Sequence, residues 1–136
     1  MTDTIIISVI MTIIGASTPI LLAALGELVV EKSGVLNLGI EGMMLIGAVT
    51  GFVVTLITGI HLLGVVAAVI AAIMASLLFG YLTLTLTANQ VATGLALTIF
   101  GIGLSSLIGE TYVGKTIDIF DSWFPAAWIV DQIQRS

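Results

Sequence analysis

Apolar positions come in long unbroken runs, separated by short polar or glycine-containing stretches. Thr4 to Leu25 is 22 residues without a charge, rich in isoleucine, with Gly15 and Pro19 inside it. After an interruption from Glu27 to Asn37, a run of 20 residues extends from Leu38 to Ile57, with a single charge, Glu41, near its start. The turn Thr58 to Gly64 leads into 22 residues from Val65 to Leu86, and the break Thr87 to Gly94 leads into a last run at about Val91 to Ile108. About 20 helical residues cross a bilayer core, so the pattern predicts four spans, at 4–25, 38–57, 65–86 and 91–108. No Asp, Glu, Lys or Arg occurs in the 68 residues from Gly42 to Gly109, which must therefore fold back on themselves more than once. Membrane β-strands alternate apolar and polar positions over about ten residues, whereas Val65 to Ile73 is apolar throughout. The expected fold class is all-α: a polytopic helical membrane protein with glycine-rich breaks.

Local chemistry sharpens the spans. Pro19 removes one backbone donor and predicts a kink near Gly15 to Ser17, where the Ser17 and Thr18 hydroxyls are placed to satisfy freed carbonyls. Asn37 is the expected N-cap of the second span, with Glu41 near its positive end. Gly47 and Gly51, four apart, predict a face for close helix packing, as do Gly101, Ser105 and Gly109 on the fourth span. Beyond Glu110 the chain turns polar and acidic, then aromatic, and Trp123, Phe124 and Trp128 are expected as interfacial anchors. The apolar stretch Trp123 to Val130 is too short for another crossing.

Composition agrees. Only 8% of the 136 residues are charged and the mean hydropathy is +1.28, against roughly 25% charged residues in soluble domains. A net charge of -5 with three basic residues offers no patch for nucleic acid. Without cysteine there are no disulfides, thiolate metal sites or cysteine nucleophiles. The opening MTDT carries an acid and no base, unlike the start of a signal peptide, so the first run is expected to remain as a span. By the positive-inside rule, Lys32 places the first interruption in the cytoplasm, with the N-terminus, His61 and the segment after Glu110 outside; Lys115 and Arg135 vote the other way.

Ionisable groups at membrane depth are candidates for a substrate or ion path. Glu41 is the first such candidate, with Gly39 and Gly42 leaving room for a ligand or a neighbouring backbone; the alternative is a helix-start carboxylate bonded to free amides. Glu27 and Glu31 are expected as solvated or interhelical structural charges. Asn89 and Gln90, between the third and fourth spans, either contact a polar ligand such as a sugar or base or form a plain polar turn. His61 is expected to be an interfacial turn residue, and a lone histidine makes no metal site with others. Gly109 to Thr116, GETYVGKT, fits the G-x-x-x-x-G-K-[ST] phosphate-loop pattern. That loop must leave a buried strand and enter a helix, and here it follows a membrane span, so nucleotide binding is not expected.

At SGVLNLGIEGMMLIGA (Ser33 to Ala48) the chain resembles the membrane permease subunits of bacterial ATP-binding-cassette importers of the branched-chain amino acid and simple-sugar group, the nucleoside branch most closely. Ser17 to Gly39, Ala88 to Ser106 and the YVG turn at Tyr112 to Gly114 are similar to the same branch. The resemblance implies a non-enzymatic transporter subunit without a cofactor, in the bacterial plasma membrane. The implied partners are a second homologous permease subunit, a cytoplasmic ATP-binding subunit, an extracytoplasmic substrate-binding protein, membrane lipid and a small-molecule substrate, a nucleoside or simple sugar. It carries a translocation path over to Asn37, Gly39 and Glu41, and more loosely to Asn89, Gln90 and Thr93. Members of the family are longer and carry a basic cytoplasmic loop that docks on the ATPase. Residues 1–136 are therefore expected to be one membrane region, the N-terminal part of a longer permease, without ATP-driven transport by itself. The alternative is a small homo-oligomeric channel or scaffold using its small-residue faces; an intramembrane enzyme built on Glu27, Glu31 and Glu41 ranks last, for want of a nucleophile pair or a metal cluster.

Overall fold

A computed structural model describes residues 2–117. Its regular elements are all helical: α1 (Thr2–Lys32), α2 (Ile40–Thr58), α3 (His61–Gly80), continued by a π-helical turn at Tyr81–Thr85, and α4 (Gln90–Glu110). Each of the four is long and apolar enough to cross a membrane. The aromatic residues Trp123, Phe124 and Trp128, and the segment around them, lie outside the described residues.

The helix ends differ from those expected, for local reasons. α1 does not stop before Glu27 but runs on through Glu27 and Glu31 to Lys32. Glu and Lys are good helix formers, and Lys32 stands in the last turn where the helix dipole favours a cation. The stop comes at Gly34, whose φ of 85° is the left-handed conformation of a helix C-terminus, with its N–H on the Glu31 carbonyl at 2.9 Å. Around Pro19 the helix is continuous. Thr18 Oγ1 donates to the Ile14 carbonyl at 2.7 Å and Ser17 Oγ to that of Ile13. The acceptor that loses its donor to proline is the carbonyl of Gly15, four residues back, so these hydroxyls serve the preceding carbonyls instead.

α2 is the centre of the bundle. It runs antiparallel to α3, with Gly47 against Ala68 and Gly51 against Gly64, and parallel to α4, with Gly39 against Gly94 and Gly42 against Leu97 to Gly101. A Cβ on Gly101 would lie 2.6 Å from the Gly42 Cα. Only glycine allows that approach, which lets two backbones touch where lipid offers no hydrophobic gain for association. Met43, Ile46, Ala75, Phe79 and Leu97 form the buried cluster between α2, α3 and α4, with Val35, Ala71 and Leu104 packed around it. By contrast, no residue of the most apolar part of α1 is buried.

At the end of α3 the i→i+5 bond from Leu86 N–H to the Tyr81 carbonyl, 3.1 Å, marks the π turn. Thr83 is buried there, its hydroxyl on the Phe79 carbonyl at 2.9 Å. Thr87 follows with φ of 50°, a left-handed conformation uncommon for a β-branched residue, and turns the chain into α4.

Candidate functional site

Residues 33–39 leave the helical ladder between α1 and α2, and their backbone polar groups need partners, because unpaired ones in an apolar surrounding cost several kcal/mol each. Side chains supply them. Gln90 Oε1, from the first turn of α4, accepts the Leu36 N–H at 2.8 Å. Glu27 Oε1, from α1, accepts the Asn37 N–H at 3.1 Å. Asn37 Oδ1 accepts the Gly39 N–H at 3.0 Å, and Thr98 Oγ1 of α4 donates to the Leu38 carbonyl at 3.0 Å. The break is thus laced to helices on both sides of it, by residues 54 and 60 positions away in the case of α4.

This arrangement changes several sequence expectations. Asn37 is not the N-cap of α2: Gly39 holds that position and makes no side-chain cap bond. An Asn side chain that bonds the N–H two residues on makes a turn of its own, so the helix begins after it. Asn37 is buried at 6% exposure, and among the described residues its Nδ2 meets only the Met43 thioether, a weak acceptor, at 3.8 Å. Glu27 is not a freely solvated charge but half-buried, and its Oε2 is buried without a donor among the described residues. Glu41 stands in the first turn of α2, exposed, and does not bond the free amides there.

The second group of candidates comes to the same place. Asn89 is the N-cap of α4, its Oδ1 accepting from Ala92 N–H at 3.1 Å. Gln90 is committed to Leu36, while Thr93 lies along a largely apolar groove of about 460 Å³ with Phe79, Leu82, Leu97 and Phe100. Gly94 presses on the break itself, since a Cβ there would lie 2.9 Å from the Gly39 and Leu38 nitrogens. Residues 36–39 of the break and residues 90–98 of α4 therefore meet at one end of the α2–α4 seam. Of the packing candidates, Gly47 and Gly51 face α3 and Gly101 faces α2, Ser105 is half-buried, and Gly109 has nothing within 4 Å of a Cβ. Gly42, which the sequence offers as room for a ligand or a neighbouring backbone, takes the backbone of α4, while Gly64 and Gly94 make close approaches that were not expected from the sequence. Gly94 and Gly101, seven apart with Leu97 between them, carry the periodicity that marks this seam.

The phosphate-loop look-alike sits at the C-terminal end of α4, with Thr111 as the C-cap and a turn to Gly114. A helix rather than a strand precedes it. Lys115 Nζ rests over the Tyr112 ring, 5.0 Å from its centre. His61 opens α3 and borders a second groove, of about 480 Å³, with Phe52, Thr55 and Gly64.

These features define a multi-pass helical membrane protein with a non-helical break braced by side chains of α1 and α4. The chain belongs to the family described as branched-chain amino acid transport system / permease component, whose pattern it matches over residues 9–131. Among curated proteins it is 45% identical over 105 residues to one of Haloferax volcanii named "Putative glucose ABC transporter permease protein TsgC13", covering 77% of this chain and 32% of that protein. It is 34% identical over 105 residues to the guanosine ABC transporter permease protein NupQ of Bacillus subtilis, covering 73% of this chain and 33% of that one. The chain thus spans about one third of the length of these relatives. No solved structure matches it.

Proposed function

We propose that this chain is the N-terminal, bilayer-embedded part of a permease subunit of an ATP-binding-cassette importer that carries a nucleoside or simple sugar across the plasma membrane. The observation that carries the reading is the braced, non-helical break, whose residues 36–39 meet residues 90–98 of α4. Helix ends leave backbone N–H and C=O groups that a ligand can satisfy, so a break between two helices can offer polar groups to a polar cargo. Family membership and the glucose and guanosine in the relatives' names support the cargo class, both being hydroxyl-bearing solutes. Within the proposed path the roles divide. Asn37, Gly39, Asn89 and Gln90 shape it, the side-chain oxygens of Asn37, Asn89 and Gln90 being engaged with the chain itself, and Glu41 and Thr93 keep side-chain groups free for the solute. A second permease subunit, a cytoplasmic ATP-binding subunit and an extracytoplasmic binding protein complete the importer. A homo-oligomeric channel is less favoured, because Gly47, Gly51 and Gly101 already pack against helices of their own chain.

The test is uptake of labelled nucleosides and sugars by cells carrying the locus unaltered, stopped after Ser136, or with Glu41→Gln. Import by the unaltered cells, lost after the stop and reduced at least tenfold by Glu41→Gln at equal membrane insertion, is the expected result. Uptake unchanged by any alteration overturns the cargo class. Uptake restored by residues 1–136 alone overturns the view that they are only part of the permease.

A further inference from the structure

We propose that Glu27 is the positioning residue of this break, an acceptor on α1 that sets where α2 begins; the role in transport rests on the permease reading above. Three bonds run in series. Glu27 Oε1 takes the Asn37 N–H at 3.1 Å, Asn37 Oδ1 takes the Gly39 N–H at 3.0 Å, and the Gly39 carbonyl takes the Met43 N–H at 3.0 Å as the first turn of α2 forms. A charge placed only for solubility turns both carboxylate oxygens to water. Here one oxygen holds a backbone amide and the other is buried. The placement also matters for α1, because the most apolar part of that helix is wholly unburied, and the Glu27–Asn37 bond is the side-chain link from α1 to the part of the break next to α2, Ser33 Oγ bonding the Val30 carbonyl at the helix end. Asn37 and Glu41, both on the proposed path, lie directly downstream of it. Removing the acceptor frees the Asn37 amide, so the segment from Ser33 to Gly39 opens more often and the start of α2 loses its fixed position.

The experiment uses the full-length permease in its assembled transporter, in native membranes, free of other accessible cysteines. Val35→Cys, at a half-buried position packed on the core cluster, reports opening through its rate of modification by a small thiosulfonate reagent. Uptake of the labelled panel is read in the same membranes. Three substitutions are compared in that background: Glu27→Gln keeps a carbonyl acceptor, Glu27→Met keeps the volume without an acceptor, and Glu27→Ala keeps neither. Expected are modification rates within about twofold of the parent for Gln and about five- to tenfold faster for Met and Ala, the range set by loss of one hydrogen bond of this class, with uptake retained by Gln and reduced by Met. If Met protects Val35→Cys as well as Glu does, or Gln opens as readily as Met, the positioning role is overturned. Parent membranes that import none of the panel would instead overturn the permease reading, and the modification rates would still decide the role of Glu27 in holding the break.

Discussion

α1 and α2 are both apolar enough to enter a bilayer, yet none of the most apolar window of α1 is buried and 33% of that of α2 is. Hydropathy takes both into the membrane and does not distinguish them there. The difference lies in what stands next to their glycines. Gly15 and Gly26 of α1 have no neighbour within 4 Å of a Cβ, whereas Gly42, Gly47 and Gly51 of α2 all face another helix. In lipid, helices associate through close backbone approach and polar bonds, since leaving the acyl chains brings no hydrophobic gain. A glycine therefore stabilises a contact only where a partner backbone comes to meet it.

Substitutions grade this contrast. Gly42→Val should have the largest effect, because its Cβ would lie 2.7 Å from the Thr98 Cα and backbone cannot step aside as a side chain can. A loss of about 3 kcal/mol or more is expected, seen as loss of the monodisperse peak and a collapsed unfolding temperature in detergent. Gly51→Leu meets Ala68 Cβ at 3.0 Å and the Gly64 carbonyl at 3.1 Å, and should cost about 2 kcal/mol in the same thermal assay. Gln90→Met keeps the volume but leaves the Leu36 N–H unpaired, for about 1 kcal/mol and faster hydrogen exchange at Leu36. Gly15→Ala should be the mildest, raising the unfolding temperature slightly or leaving it unchanged, within about 1 kcal/mol. Should Gly15→Ala destabilise as much as Gly51→Leu, α1 packs within this chain and the contrast fails.

Much of this architecture was legible in the sequence, since four apolar runs bounded by polar breaks fix helices that are obligatory in lipid. The boundaries were less so. Glu27 and Glu31 look like an interruption because they are charged, but charge near a membrane edge does not end a helix and a left-handed Gly34 does. Asn37 has the chemistry of a cap and uses it on Gly39, two residues on, which delays the helix instead of starting it. The candidate residues at 37–41 and at 89–93 were each visible from their polar character in an apolar chain. The meeting of the break with the start of α4 was not, because it depends on α2 and α4, separated in sequence by α3, lying parallel and in direct contact, and no local pattern states that. The face at Gly101, Ser105 and Gly109 was drawn at four-residue spacing, whereas the contact follows Gly94, Leu97 and Gly101 at three and four in alternation, the spacing that keeps two inclined helices in register.

The lacing of the break also has an order in time. Its partners on α4 lie 54 and 60 residues downstream of the groups they bond, and at about 5–20 residues per second they leave the ribosome roughly 3–12 s later. Glu27 is ten residues upstream of Asn37 and is already present when that amide emerges. For those seconds the Asn37 amide has its N-terminal partner available and the break does not yet have its C-terminal ones.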